Sequence, residues 1–169
     1  MKISLRDIVV ALILLFILSA VFIVVRNHDK KVASDIMPVD NSTQYYDISG
    51  MVNKFVRNSN DDNVDVLIEL LDDSFKEKKH INKGNIFHYV KKYSDNNISF
   101  FGDKMYYEEI SGTLIKAYVS GTIQTVLLYD SKDIEKYYVI VLVDRKKKLF
   151  SIIPDDGTKY KEAEKWLKD

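Results

Sequence analysis

Residues 137–154 read YYVIVLVDRKKKLFSIIP, and this stretch decides the fold class. Two runs rich in β-branched and aromatic residues flank the polar turn at residues 144–148, a pattern that is typical of a β-hairpin. Pro154 closes the second run, because proline cannot donate a hydrogen bond to a sheet. We therefore predict antiparallel strands over residues 136–144 and 149–153.

Two further strands are predicted before this hairpin, over residues 98–105 and 113–129, where β-favouring residues follow a period of two. In the longer strand, alternate residues from Ile115 onward form an apolar face, and those from Lys116 onward form a wetter one. Gly121 interrupts this strand, and we expect a bulge or bend there. The sequence thus predicts a curled four-stranded antiparallel sheet.

Helical periodicity precedes the strands, with apolar residues recurring every three or four positions. Residues 52–75, VNKFVRNSNDDNVDVLIELLDDSF, contain the end of one predicted helix, an Asn/Asp-rich junction and a second helix. A third helix is predicted over residues 85–93 and a short C-terminal helix over 158–168. Helices followed by strands are the α+β order, so we predict about three helices packed on the sheet. The first two apolar stripes are Tyr45, Ile48, Val52, Phe55 and Val56, and Val64, Leu67, Ile68, Leu71 and Phe75.

An apolar segment near the N-terminus predicts a transmembrane helix. Residues 8–25 read IVVALILLFILSAVFIVV, eighteen residues in which Ser19 is the only polar side chain. As a helix this run spans roughly 27 Å, which is just enough to cross the apolar core of a bilayer. A core helix of a soluble domain rarely carries apolar residues on every face. The residues expected to anchor the chain in lipid are Ile8, Leu12, Leu15, Phe16, Phe22 and Val25.

A cleaved signal peptide is the alternative interpretation of this segment, because Lys2 and Arg6 precede it. Bulky residues at positions 21–25, where a cleavage site needs small ones, favour an uncleaved signal anchor. Cations flank the segment almost equally on both sides, so the positive-inside rule does not decide its orientation. The short tail before the span favours a single-pass protein of the cell membrane whose domain lies outside the cytoplasm.

The chain of 169 residues divides into a tail and anchor over residues 1–26, a polar tether over 27–43 and one α+β domain over 44–169. Its 25 basic and 25 acidic residues cancel, so the basic footprint of nucleic-acid-binding proteins is missing. We expect no nucleic-acid partner. Cysteine is absent, which excludes disulfides, thiolate catalysis and cysteine-ligated metals.

No arrangement of residues predicts catalysis, a cofactor or a metal site. His80 and His88 lack the i, i+4 spacing of a helical metal pair. The adjacent acidic pairs fall at predicted helix ends and turns, where carboxylates cap helices and stay solvated. No serine lies in a nucleophile elbow, and no glycine-rich phosphate loop is present. We therefore predict that the protein is not an enzyme; the alternative places Asp103 and Tyr118 in a cavity of the curled sheet.

Two features predict contacts with a membrane or a protein. The cations at residues 145–148 suit lipid headgroups, wall polymer or an acidic partner, or they form a solvated hairpin tip that discourages edge pairing. Eleven tyrosines, several in adjacent pairs, offer aromatic contact area wherever one of a pair is exposed. The candidate interface residues are Tyr107, Tyr118, Tyr138, Arg145 and Lys147.

The helix pair in residues 52–75 and the hairpin in 137–154 resemble the cystatin-like and nuclear-transport-factor-like α+β superfamily over residues 44–154. With a single N-terminal span, the chain is similar to the bitopic assembly components of type IV secretion and conjugation systems. This resemblance implies a non-catalytic assembly module of a bacterial envelope complex, bound to the lipid bilayer and to envelope proteins or to itself. Two alternatives remain open: a ligand-binding or enzymatic domain that uses the cone-shaped cavity, and a cell-surface or immunity protein.

Overall fold

The computed structural model describes residues 36–38, 43–60, 63–95, 97–127 and 131–166. The chain divides into two units, Met1–Asp35 and Ile36–Asp169, and all described residues belong to the second. The anchor predicted over residues 8–25 lies outside the described residues, and so do its six anchor positions. Among the described residues, no helix is long and apolar enough to cross a bilayer.

Strands and helices follow the predicted α+β order. Within the described part of the chain the helices are α1 (Thr43–Arg57), α2 (Val64–Leu70), α3 (Asp73–Lys79) and α4 (Thr158–Trp166), with a 3-10 turn at Ile86–His88. The strands are β1 (Ile36–Pro38), β2 (Ile98–Glu109), β3 (Leu114–Val126), β4 (Ser131–Asp144) and β5 (Leu149–Pro154). The four long strands form an open antiparallel meander in the order β2-β3-β4-β5. The α+β class and the four-stranded antiparallel sheet are confirmed.

The three-residue strand β1 extends this sheet at its β2 edge, inside the segment predicted to be an irregular tether. Ile36 pairs with Glu108, and Pro38 pairs with Tyr106. Proline is tolerated here because β1 is an edge strand. The second unit of the chain begins at Ile36, within the residues 27–43 that were predicted as the tether.

The second predicted helix is split in two. Leu71 leaves the helical path and forms a parallel bridge with Ile152 of β5, and the Asp72 N–H donates to the Ile152 carbonyl at 2.9 Å. Asp72 then starts α3, since its Oδ1 accepts from the Phe75 N–H at 3.0 Å. A contact with the sheet edge overrides the helical stripe that runs from Val64 to Phe75.

The third predicted helix, over residues 85–93, was wrong in extent, because only the 3-10 turn Ile86–His88 forms. Ile86, Val90 and Tyr93 are nevertheless buried, as their periodicity predicts. The Tyr93 N–H donates to the Ser59 carbonyl at 2.8 Å, so a tertiary contact satisfies this backbone group instead of a helical one.

The main core lies between α1, α2 and one face of the sheet. On the predicted apolar face of β3, Ile115, Ala117, Val119 and Ile123 are fully buried, whereas Leu127, beyond the end of the strand, is exposed. The apolar stripe of α1 contributes four side chains that have no exposed surface: Ile48, Val52, Phe55 and Val56. The apolar face that alternation predicts for the strand and the apolar face that the 3.6-residue period predicts for the helix thus pack together in one layer.

The opposite face of the sheet is drier than predicted, because α4 packs across it. Tyr118 and Ile140 form a second apolar cluster with Tyr160 and Ala163 of α4. Ser120, on the same face, is also buried. The sheet is therefore covered by helices on both faces, although α4 covers its face only in part.

The bulge expected at Gly121 is in the neighbouring strand. Gly102 pairs with Gly121 and Lys104 pairs with Ser120, so Asp103 is the extra residue in β2. At Gly121 itself, a Cβ would overlap the Phe100 ring and the Phe101 carbonyl oxygen. Glycine is needed in β3 because the partner strand approaches this closely.

Candidate interaction surface

A groove of about 650 Å³ lies between one flank of α1 and the β4–β5 hairpin. Met51 of α1 and Val143 and Phe150 of the hairpin line it with apolar side chains. Asp47, Lys54, Arg145 and Lys148 line it with charged ones. The α1 residues that line it recur at helical spacing, so one flank of the helix forms a continuous wall.

The groove exists because α1 is held towards the opposite edge of the sheet. The Asn53 Oδ1 accepts a hydrogen bond from the Phe100 N–H of β2 at 3.1 Å. The Tyr45 hydroxyl donates to the Gly102 carbonyl of the same strand at 3.0 Å. These two side chains therefore form hydrogen bonds with backbone groups of β2 that would be unpaired on the edge of a sheet. With one flank bound to β2, the other flank faces the inner side of β4–β5.

Gly50 stands in the wall of the groove, in the interior of α1. Its φ is not positive, and a Cβ added there would meet nothing within 4 Å. Glycine inside a helix is less favourable than alanine by about 0.5–1 kcal/mol, so neither helix propensity nor packing explains this residue. Residues that break a local rule without a structural gain are expected at functional sites. The effect of Gly50 is to leave the groove open.

The rim at the hairpin is ordered by side-chain contacts. The Asp144 Oδ1 accepts from the backbone N–H groups of Lys146 and Lys147, at 3.0 and 3.2 Å, which holds the turn in shape. The Arg145 guanidinium donates to Glu109 at 3.4 Å and to the Gln44 side chain at 3.3 Å. Both contacts connect the hairpin tip to its neighbours, so the two walls of the groove are linked at this end.

Two lysines give the groove a basic rim. The ammonium groups of Lys54 and Lys148 have no ion-pair or hydrogen-bond partner within the described ranges. Lys148 also has a left-handed backbone, with φ of 52°, which is unfavourable for a residue with a side chain. Both cations are exposed and available to an acidic group.

The five candidate interface residues separate into two groups. Arg145 and Lys147 lie together in the β4–β5 turn, where Lys147 approaches Asp144 at 3.9 Å, and both are exposed. Tyr107 is half-buried and packs against the main core. Tyr118 is only 6 % exposed, and the Tyr138 ring packs at a tilt against Tyr160 of α4, with ring centroids 5.3 Å apart. Tyr118, one of the candidate interface residues, therefore lies under α4 in this structure.

The buried tyrosines make structural hydrogen bonds. The Tyr118 hydroxyl donates to Glu108 at 3.0 Å. Burial, and secondarily the Glu108 carboxylate, raise the pKa of Tyr118 far above its usual value. At neutral pH this hydroxyl therefore keeps its proton and acts as a donor. The enzyme alternative places Asp103 beside Tyr118 in a cavity of the sheet. In the structure, Asp103 forms an ion pair with Lys136 instead.

The face of the sheet under α1 is filled by the core. Phe55 and Ile48 of α1 lie there with no exposed surface. Among the described residues, one open space lies beside α1, at the groove, and another of about 590 Å³ lies near α3 and α4. Within the same residues, no group of three or more histidine, aspartate or glutamate side chains is placed to hold a metal ion.

Sequence reasoning missed Gly50, Met51 and Phe150, because their neighbours across the groove are distant in the chain. Gly50, a glycine in the interior of a predicted helix, was the one signal in the sequence. No protein family model, curated protein or solved structure gives a significant match to the chain. Function is therefore inferred from the groove, the charges around it and the predicted anchor.

Proposed function

We propose that this chain is a membrane-anchored, non-catalytic interaction module of a bacterial envelope complex, and that its groove holds a segment of a partner protein. The observation that carries the proposal is the open groove between α1 and the β4–β5 hairpin, with Gly50 in its wall. Secretion or conjugation machinery is the proposed setting, on the strength of the resemblance to bitopic assembly components.

The lining of the groove suits a protein segment. Met51, Val143 and Phe150 supply an apolar centre, and charged residues surround it. Protein interfaces have this arrangement of an apolar core and a polar rim. The volume lies within the range of sites that accept a few side chains. The unpaired cations Lys54 and Lys148 favour a segment that carries acidic residues beside its apolar ones.

Photo-crosslinking in cells tests the groove. A photoreactive amino acid at Asp47, an exposed position in the lining, should form an adduct with an envelope protein or with a second copy of the chain. The same amino acid at Glu77, exposed on α3, is the control position. Gly50→Leu, which fills the groove, should abolish the adduct, whereas Lys78→Leu, which adds a leucine at an exposed position of α3 away from the groove, should retain it. An adduct that survives Gly50→Leu contradicts the proposal.

Membrane anchoring is tested separately. The chain has no cysteine, so a single cysteine at Lys78, exposed on α3, reports on one position alone. We expect the protein to resist extraction by alkaline carbonate and this cysteine to react with a membrane-impermeant maleimide in intact cells. Release by carbonate refutes the anchor. Labelling only after lysis places the domain in the cytoplasm and removes the envelope-complex proposal.

A further inference from the structure

Two turns and the start of α1 meet at one end of the sheet. The Arg145 N–H of the β4–β5 turn donates to the Thr113 carbonyl of the β2–β3 turn at 2.8 Å. The Arg145 guanidinium contacts Glu109 at 3.4 Å and Gln44, in the first turn of α1, at 3.3 Å. We name this region, residues 110–113 and 145–149, the hairpin end.

The hairpin end combines exposed apolar side chains with cations. Ile110 is 46 % exposed and Leu149 is 58 % exposed. Four consecutive cations, residues 145–148, lie between them in the fold, and all four are exposed. Arg145 pairs with Glu109 and Lys147 approaches Asp144, but the ammonium group of Lys146 has no ionic partner within the part of the chain that the structure describes.

The opposite end of the sheet differs in its charges. It also exposes apolar side chains, among them Leu127, which is 54 % exposed. Two lysines near it are paired, since Lys136 binds Asp103 and Lys91 binds Glu135, whereas Lys132 has no ion-pair partner among the described residues. Exposed leucine therefore occurs at both ends of the sheet. The hairpin end differs because it carries four consecutive cations and fewer carboxylates that pair with them.

The first described strand begins at the hairpin end. In β1, Ile36 lies beside Glu108 and Pro38 beside Tyr106, so Ile36 is at the end of the sheet that carries the β2–β3 turn. Ten residues, 26–35, separate the predicted span from β1. Ten residues reach at most roughly 35 Å. A span over residues 8–25 would thus leave Ile36 connected to the bilayer by ten residues.

We propose that the hairpin end is a contact surface for an anionic lipid bilayer. The cations of the β4–β5 turn bind headgroup phosphates, and Ile110 and Leu149 enter the interfacial layer. Basic residues beside a membrane anchor are attracted by anionic lipid, and apolar side chains next to them add to the binding. The inference rests on the proposed anchor, because the anchor brings this end to the membrane.

Fluorescence quenching on the full chain tests it. A single cysteine at Leu149, carrying an environment-sensitive dye, is compared with one at Leu127, a leucine of nearly equal exposure at the opposite end. The chain is reconstituted in nanodiscs of phosphatidylcholine alone or with phosphatidylglycerol, each containing spin-labelled lipid. We expect quenching at Leu149 that increases with phosphatidylglycerol, and none at Leu127 in either disc.

Charge reversal provides the second arm. Lys146→Glu together with Lys147→Glu should lower the ratio of quenched to unquenched dye at Leu149 by at least about fivefold. A change of about fivefold is what the loss of attraction between a single lysine and an anionic surface produces. Lys78→Glu with Lys79→Glu on α3 changes the net charge equally and should have no effect.

Each other outcome overturns the inference. Equal signals from both dyes, or no dependence on phosphatidylglycerol, refute the contact while the anchor stands. Quenching that rises with the number of chains per neutral disc assigns the hairpin end to self-association instead. A chain that does not enter either disc refutes the anchor, and the inference fails with it.

Discussion

The Asn53 side chain of α1 accepts a hydrogen bond from the Phe100 backbone N–H of β2, 47 positions away, at 3.1 Å. This bond does two things at once. It satisfies a polar group on the outer edge of β2, where β1 does not extend, and it fixes the helix towards β2. The groove on the other flank of α1 depends on that placement.

Asn53→Ala should therefore lower the free energy of unfolding by about 1–2 kcal/mol, because a partly buried N–H loses its acceptor. Urea denaturation of the full chain in mild detergent measures this. Glu69→Ala, exposed on α2, is the control and should change stability little. The Asp47 photo-adduct should also weaken, since α1 is no longer held against β2. A fully stable variant with an intact adduct contradicts the role given to this bond.

Gly50→Leu should raise stability while it removes binding. Replacing glycine inside a helix gains about 0.5–1 kcal/mol, which corresponds to an increase in Tm of roughly 1–4 °C for a domain of this size. Thermal unfolding followed by circular dichroism measures the shift. Gly112→Leu, outside any helix, is the matched control and should show no such gain. If Gly50→Leu is destabilising, glycine is there for packing and not for the groove.

Gly121→Ala should destabilise the sheet by about 3 kcal/mol, at the upper end for overpacking, because the new Cβ overlaps the Phe100 ring and the Phe101 carbonyl. Gly112→Ala adds the same atom in open space and should be nearly neutral. Combining Gly121→Ala with Phe100→Leu relieves the ring contact, so the two changes should cost less together than their sum. Strict additivity in urea denaturation refutes the clash.

Stability should fall at alkaline pH. Burial, and secondarily the Glu135 carboxylate, raise the pKa of Tyr137 above its ordinary value of 10.0. Above about pH 10 the unfolded chain releases this proton and the folded chain keeps it, so the unfolding free energy decreases by up to about 1.4 kcal/mol per pH unit. The contribution is fully present below pH 10 and is lost as the pH rises further.

Tyr137→Phe should reduce that slope, because phenylalanine has no proton to release. Urea denaturation at several pH values between 9 and 12 measures it. Tyr46→Phe, whose ring is exposed, is the control and should leave the slope unchanged. A slope that is the same in Tyr137→Phe and the unaltered chain contradicts the assignment.

Local patterns determined the elements of this protein and their inner faces. Alternation in β3 placed Ile115 and Ile123 in the core, and the turn at residues 144–148 was recognised from its polar residues between two apolar runs. Such features depend on neighbours within a few positions, so the sequence alone contains them. The prediction of an N-terminal span over residues 8–25 is of the same kind.

Contacts between distant segments decided the rest. The helix α2 ends before Leu71 because Leu71 forms a β-bridge with Ile152. Tyr118 is buried because α4 packs over it. The groove arose because Asn53 holds α1 towards β2 while Phe150 lies across from its other flank. Periodicity states which side of an element is apolar, but the partner of that side, and the space left beside it, are set by tertiary packing.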